Sequence, residues 1–447
     1  MTTVTVDKII PGGLGLARDD HGLTMLIPFV LPQEVIKVNI SRRHRSYATA
    51  EALEIIRPHP DRCSPPCPSF GRCGGCHLMH AAYHLQKKIK LDCLREALVH
   101  SKCSASAAET MTFTGCPVPL HYRQRLRLQV DDRGCLGFFK PRSHQLVTIE
   151  SCLLAEPALN IILAFLSHTP AFQDWAEIIK EIELFYSPLD KDVIAVFHLQ
   201  RPPRPRDRQR AALVTGGNNL LREIWFSAPG TQLHGPYSAT QNQPQGINFK
   251  IVLPGQKDLI MGLTVGGFCQ VNTEQNIALI QKALDRAELS GRERVLDLYC
   301  GLGNFSLPMA RQAALVTGME SRRSSIRSAK KNARHNNITN CYFVQGLINE
   351  VLPELIASGE CFDLIVIDPP RQGCKDIIHY LPALMAEKIL YISCDPATMI
   401  RDMELMTAQG YNLRRVDGID MFPQTSHIEV IALLEKVPVK PLIGNRI

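Results

Sequence analysis

From residue 2 to about 57 apolar and polar positions alternate in short runs, TVTVDKII, LTMLIPF, VIKVNI and ATAEALEII, broken by PGGLG, DDHG and LPQE. A period of two with turn residues at that spacing predicts a small β-barrel or sandwich over 1–57. HLQKKIKLDCLREALVH then reads as a helix. Between 120 and 265 the strand pattern returns. HYRQRLRLQV sets Arg123, Arg125 and Arg127 on one face of a strand and Leu126, Leu128 and Val130 on the other. The stretch RPPRPRDRQR, 201–210, carries so much proline and charge that it reads as a loop. From 266 the rhythm changes again. RVLDLYC, AALVTGME, FDLIVID and KILYISC are apolar and strand-length, with helical stretches such as SSIRSAKKNARHNN between them. Strand–helix alternation predicts a doubly wound α/β domain with a parallel sheet. LRRVDGIDMF and HIEVIALLEK add two further strands. The expected organisation is a β-barrel at 1–57, a β-rich central domain at 58–265 and an α/β domain at 266–447.

Composition narrows the class only a little. With 45% hydrophobic and 21% charged residues the chain is ordinary for a globular protein. No apolar run reaches the ~20 residues of a membrane span. The start has neither a basic nor an apolar leader segment, which argues against secretion and for the cytoplasm. Fifteen cysteines in such a chain suit metal or catalytic roles better than a disulfide framework. A net charge of +7 permits a polyanionic partner without identifying one.

VLDLYCGLGNFSLPMA is a strand, a glycine turn and a helix. The third glycine of a dinucleotide fingerprint is replaced by Ser306, and Asp297 lies inside the strand, where it would repel a pyrophosphate. Glu320, nineteen residues after Gly301, ends the next strand and suits ribose hydroxyls. Asp368 ends FDLIVI and opens DPPR. Acids at successive strand ends fit S-adenosylmethionine better than a nicotinamide dinucleotide.

RCSPPCPSFGRCGGCHLMH places Cys63, Cys67, Cys73 and Cys76 within fourteen residues. Thiolates at C-x2-C spacing hold zinc or an iron–sulfur centre, and spacing alone does not choose between them. Cys394, in LYISCDPAT, stands where a strand gives way to a helix. A structural thiol is the plainer reading of any single cysteine there.

Taken together, these segments resemble the RNA uracil-5-methyltransferases, in the iron–sulfur branch that carries an N-terminal TRAM domain. DKIIPGGLGLARDDHG with LPQEVIKV resembles the TRAM barrel, and CPSFGRCGGC the family's C-x5-C-x2-C. The resemblance implies a [4Fe-4S] cluster on Cys67, Cys73, Cys76 and, through GFFKPRSHQLVTIESCLL, Cys152, with Cys63 left out. It implies a Rossmann-like class I methyltransferase domain whose S-adenosylmethionine is met by Gln270 of GFCQVN, Tyr299 and Asn304 of LDLYCGLGNFSL, Glu320 and Asp368. LYISCDPATMIRD assigns the nucleophile to Cys394, and FPQTSHIEVIALL the general base to Glu429. The family pattern is broken at three places. Asp395 replaces Asn after the nucleophile, Cys269 replaces an aromatic before the glutamine, and Leu347 replaces a polar residue of the adenosine loop.

Such an enzyme adds its cysteine thiolate to carbon 6 of uracil, making carbon 5 nucleophilic, and afterwards needs a base to take the carbon 5 proton. The implied partner is RNA with an unstacked or flipped uridine, large-subunit (23S) ribosomal RNA before transfer RNA, acted on by a monomer. The competing readings are an RNA cytosine-5-methyltransferase and a catalytically silent RNA-binding iron–sulfur protein.

Overall fold

A computed structural model describes residues 2–103, 109–239 and 246–437. The last ten residues of the expected C-terminal domain, 438–447, lie outside the described residues. These fall into two compact units. One takes in 2–93, 115–239, 246–277 and 420–427; the other takes in 94–103, 109–114, 278–419 and 428–437.

The first unit begins with β1 (Thr2–Ile10), β2 (Leu14–Arg18), β3 (Thr24–Pro28), β4 (Val35–Arg43) and β5 (Ala48–Arg57). They close into a barrel in the order β1-β2-β3-β5-β4. Alternation gives it a core, with Val4, Val6, Met25, Ile27, Ile36 and Val38 pointing inward. Gly15 is required by packing, since a Cβ there would overlap Val30.

The short strand β6 (Thr112–Thr114) belongs to the second unit. The first unit continues with β7 (Arg125–Val130), β8 (Leu136–Phe139), β9 (Leu146–Thr148), β10 (Ile179–Ser187), β11 (Asp192–Leu199), β12 (Leu221–Ser227) and β13 (His234–Tyr237). These make one sheet in the order β13-β12-β11-β10-β7-β8-β9, while β14 (Ile247–Ile251) and β15 (Leu259–Leu263) pair apart from it. Trp175, Phe172, Phe197 and Phe226 fill the core beneath the large sheet.

Two sequence expectations change here. The stretch 201–210 is not all loop, because a helix runs from Pro205 to Gly216. Proline is tolerated in a first turn, where its missing N–H has no partner to lose. Asp207 accepts from the Arg204 backbone N–H at 2.7 Å and pairs with Arg201 at 2.7 Å, while Ala211 and Val214 are buried. The basic strand face is also largely neutralised. Arg125 pairs with Glu183 and Arg127 with Glu181, both acids coming from β10, which lies antiparallel to β7.

Residues 420–427 lie far along the chain yet pack in the first unit. Lys90, on the helix Tyr83–Val99, reaches Asp420 at 2.6 Å with both side chains buried, and Tyr83 donates to the other carboxylate oxygen at 2.8 Å. Gln86 donates to the Gln424 side chain at 2.9 Å and accepts from its backbone N–H at 3.0 Å. Tyr122 donates to the Pro423 carbonyl, and Lys90 to that of Phe422.

The second unit is built on β16 (Arg294–Leu298), β17 (Leu315–Glu320), β18 (Cys341–Gln345), β19 (Leu364–Ile367), β20 (Lys388–Ser393), β21 (Tyr411–Ile419) and β22 (Glu429–Lys436). With β6 they form one sheet, β18-β17-β16-β19-β20-β22-β21-β6. Strands β16 to β20 run parallel, and β22 is antiparallel to β20. Chain order reverses between β16 and β19, and the carboxyl edge at such a switch point is where open α/β sheets bind ligands. No helix among the described residues is long and apolar enough to cross a membrane.

Candidate active site and cysteine cavity

Five of the residues singled out by the sequence stand at strand ends along this edge. Tyr299 follows β16 with φ at +64°, a left-handed conformation that turns the chain sharply before Gly301 and Gly303, both also at positive φ. Asp297, fully buried inside β16, accepts from the Ser306 hydroxyl, so the residue standing where a third glycine would be is a partner of this acid. Burial pushes the Asp297 carboxyl up to about 7 against the Ser306 hydrogen bonds, and the charge of Glu320 adds to the rise. Its second oxygen is buried with no hydrogen-bond partner. Glu320 ends β17 and accepts from the Arg322 backbone N–H at 2.7 Å. A buried acceptor oxygen and a carboxylate at the next strand end suit a cationic ligand with ribose hydroxyls.

Asp368, Cys394 and Glu429 cluster further along. Asp368 follows β19, Cys394 follows β20, and Glu429 opens β22. Ser393 pairs with Val430 across the antiparallel ladder, so the next positions outward are Cys394 and Glu429. Cys394 is half-buried and Glu429 buried. Burial raises the Cys394 thiol above its ordinary value, the charges of Glu429 and Asp368 raise it further, and Arg371 opposes them by charge and hydrogen bond. Glu429 is pushed well up by burial, then by Asp368, again against Arg371. Asp368 is raised by burial and by Asp297.

A thiol at the start of a helix is ordinarily lowered; at Cys394 burial and two carboxylates act the other way. Asp395 turns its side chain to the following helix. It caps the helix Pro396–Ala408, accepting from the backbone N–H groups of Ala397 at 3.0 Å and Thr398 at 3.1 Å. Sequence reasoning missed Arg371 as a site residue. Its signal was its place, three residues beyond a strand-end acid. Gln270 is half-buried and belongs to the first unit. Leu347 is 51% exposed at the start of the helix Ile348–Ala357.

The cysteines make a separate feature within the first unit. Cys67, Cys73, Cys76 and Cys152 line one cavity of about 200 Å³, together with the apolar Phe70, Met79, Leu126, Phe138 and Ile149. Cys152 is fixed by Asn160, which accepts from its N–H at 2.8 Å and donates to its carbonyl at 3.0 Å. Burial, then Cys152 and Cys73, push the Cys76 thiol up to about 12, against the charge of Arg123. Burial raises the thiols of Cys73 and Cys152 as well, and four cysteines around one hollow are a donor set for a cation. Gly74 packs against backbone there, and a Cβ on it would press on Phe139 O at 3.0 Å. Cys63 lies elsewhere, exposed and lining a different hollow with Arg62 and His80.

Residues 252–437 match the family described as tRNA (Uracil-5-)-methyltransferase. An uncharacterized RNA methyltransferase of Clostridium tetani is 33% identical over 441 residues, which cover 94% of this chain and 93% of that one. The 23S rRNA (uracil(1939)-C(5))-methyltransferase RlmD of Pasteurella multocida is 32% identical over 433 residues, covering 95% and 94%. Among solved structures, Pyrococcus abyssi tRNA (uracil-54, C5)-methyltransferase in complex with S-adenosyl-L-homocysteine shares the fold. Its TM-score is 0.72 at 22% identity, over 97% of this chain and 100% of that one.

Proposed function

The chain belongs to the RNA (uracil-5-)-methyltransferase family, and on that premise we propose that it methylates carbon 5 of a uridine in large-subunit ribosomal RNA. The observation that carries the reading is the placement of Cys394 and Glu429 at neighbouring ends of β20 and β22, with Asp368 and Arg371 acting on both. Cys394 adds through sulfur to carbon 6, forming a C–S bond and leaving carbon 5 as an enolate carbon. S-adenosylmethionine, held by Gln270, Tyr299, Glu320 and Asp368, supplies the methyl group that carbon 5 takes. Glu429 then removes the proton left on carbon 5, and the C–S bond breaks to release the thiolate. The target uridine is flipped or single-stranded, because the reacting carbons are covered in a stacked helix. Ribosomal RNA is favoured over transfer RNA by the relatives named for 23S rRNA. The same substrate places the enzyme in the cytoplasm, and a monomer suffices.

The three segments take distinct parts in this reading. Residues 1–57 form a TRAM-like barrel that meets RNA, 58–265 carry an iron–sulfur cluster and further RNA contacts, and 266–447 hold the methyl donor. The cluster is a [4Fe-4S] centre on Cys67, Cys73, Cys76 and Cys152. The likeness of CPSFGRCGGC to the family's C-x5-C-x2-C favours this cluster over a single zinc ion, and the four cysteines line one cavity. Its part is structural, tying the 67–76 loop to Cys152. Cys152→Ser is expected to lower bound iron and reduce the melting temperature by roughly 5 °C or more. A full melting temperature after chelation would remove the structural role.

The function is tested by incubating anaerobically purified protein with S-adenosylmethionine and unmodified RNA, then analysing nucleosides of each size fraction by mass spectrometry. New 5-methyluridine in large ribosomal RNA is the expected product. The same product in the transfer RNA fraction would change the substrate, and 5-methylcytidine would change the base. No methylated base, with cofactor bound, would leave an RNA-binding protein.

A further inference from the structure

The helix Arg323–His335 joins β17 to β18 and carries Arg323, Arg327, Lys330, Lys331 and Arg334. Positions i, i+4, i+7, i+8 and i+11 fall on one face of a 3.6-residue repeat. All five are exposed, and the opposite face buries Ile326, Ala329, Asn332 and Ala333. The helix contains no acid, and among the described residues no carboxylate pairs with any of the five. It therefore presents five positive charges and no negative one, in a chain whose whole formal charge is +7.

A merely solvated face does not require this pattern. Soluble helices interleave signs, and Glu–Lys pairs at i,i+4 stabilise them. Here Arg323 and Arg327, Arg327 and Lys331, and Lys330 and Arg334 are like-charged at that spacing, which is unfavourable. Arg323 also stands in the first turn, at the positive end of the helix dipole, where a cation is disfavoured. Only the cations of the last turn gain from the dipole. The arrangement costs stability in the free protein and is compensated only by an anionic surface laid along it. From Arg323 to Arg334 the ridge is about 16 Å long, extended like a strand of phosphates rather than compact like a small anion.

We infer that this ridge docks the phosphodiester backbone of the substrate RNA, at a segment separate from the one that offers the target uridine. The separation follows from the sheet, where β17 lies three strands from β20 and Cys394, about 14 Å at ~4.8 Å per strand. The inference rests on the proposed RNA methyltransferase function and adds to it a second grip, favouring a large folded RNA over a short loop.

The test is the full-length quadruple variant Arg327→Gln, Lys330→Gln, Lys331→Gln and Arg334→Gln, in which glutamine keeps helix propensity. Its affinity for in vitro transcribed, unmodified large-subunit ribosomal RNA is measured from about 50 to 200 mM salt. A second variant with Arg204, Arg206, Arg208 and Arg210 replaced by Gln changes the total charge equally. The expected result is a plot of log K against log salt shallower by roughly 2–3 for the ridge variant, at about one per lost phosphate contact. Affinity falls at least tenfold at the lowest salt, S-adenosylmethionine binding is unchanged, and the melting temperature is equal or higher as repulsion is relieved. An unchanged slope overturns the inference, as does an equal loss in the 204–210 variant, which would mark general charge rather than a site. If the wild type binds this RNA but forms no 5-methyluridine, the methyltransferase reading falls while the slope still reports on the ridge. If it does not bind, both fall.

Discussion

Replacing Cys394 by alanine is expected to lower turnover by roughly four orders of magnitude or more, the loss typical of removing a covalent nucleophile, while S-adenosylmethionine still binds. The variant should form no protein–RNA species that survives denaturing electrophoresis. Residual methylation within about tenfold of wild type would transfer the nucleophile's part to another group. The wild type has a pH signature. Only the thiolate adds to carbon 6, and burial, Glu429 and Asp368 hold the Cys394 thiol above its ordinary value. Single-turnover addition therefore rises with pH through neutrality, about tenfold per unit until the thiol has titrated. Arg371 pulls the other way, so Arg371→Gln should move that rising limb to higher pH. A flat profile in both proteins would mean that the thiolate is already formed.

Glu429→Gln is expected to give the opposite species, a covalent protein–RNA complex that accumulates because methylated carbon 5 keeps its proton and sulfur cannot leave. Turnover should fall by about 10²–10⁴, the range for loss of a general base, with the first addition much less affected. Burial and Asp368 raise the Glu429 carboxyl, so it takes a proton more readily than an ordinary carboxylate. Lowering the pH protonates it in advance, and the wild type should then begin to accumulate the same complex. Normal turnover by Glu429→Gln, with no complex, would end the assignment. The two variants are read on one gel, where Cys394→Ala shows no band and Glu429→Gln shows more than wild type.

Much of this architecture was legible in the chain because local rules carry it. Alternation between PGGLG, DDHG and LPQE wrote the barrel, and the strand–helix rhythm after 266 wrote the parallel sheet, including the acids at strand ends. What escaped depends on partners remote in sequence. The arginines of HYRQRLRLQV looked like a free basic face because Glu181 and Glu183 arrive on β10, more than fifty residues later. The helix at Pro205 was hidden by prolines that happen to occupy its entrance, with Asp207 bonding back to Arg204 and Arg201. Asp395 stood out only as a departure from the family pattern, because its hydrogen bonds to Ala397 and Thr398 exist only once the helix turns. The basic ridge of 323–335, by contrast, was readable from spacing alone; its lack of acidic partners was not.

The packing of 420–427 in the first unit sets an order of synthesis. Lys90 is made early, and its buried partner Asp420 emerges from the ribosome more than three hundred residues later. At ~5–20 residues per second, the ammonium and the groups of Tyr83, Gln86 and Tyr122 wait tens of seconds before their partners exist. During that interval the first unit has no complete interior, because the peptide that closes it is translated long after the rest of that unit. A chain that stops short of residue 420 would lose more than the strand β22; its N-terminal half would be left with a buried cation and no counter-ion.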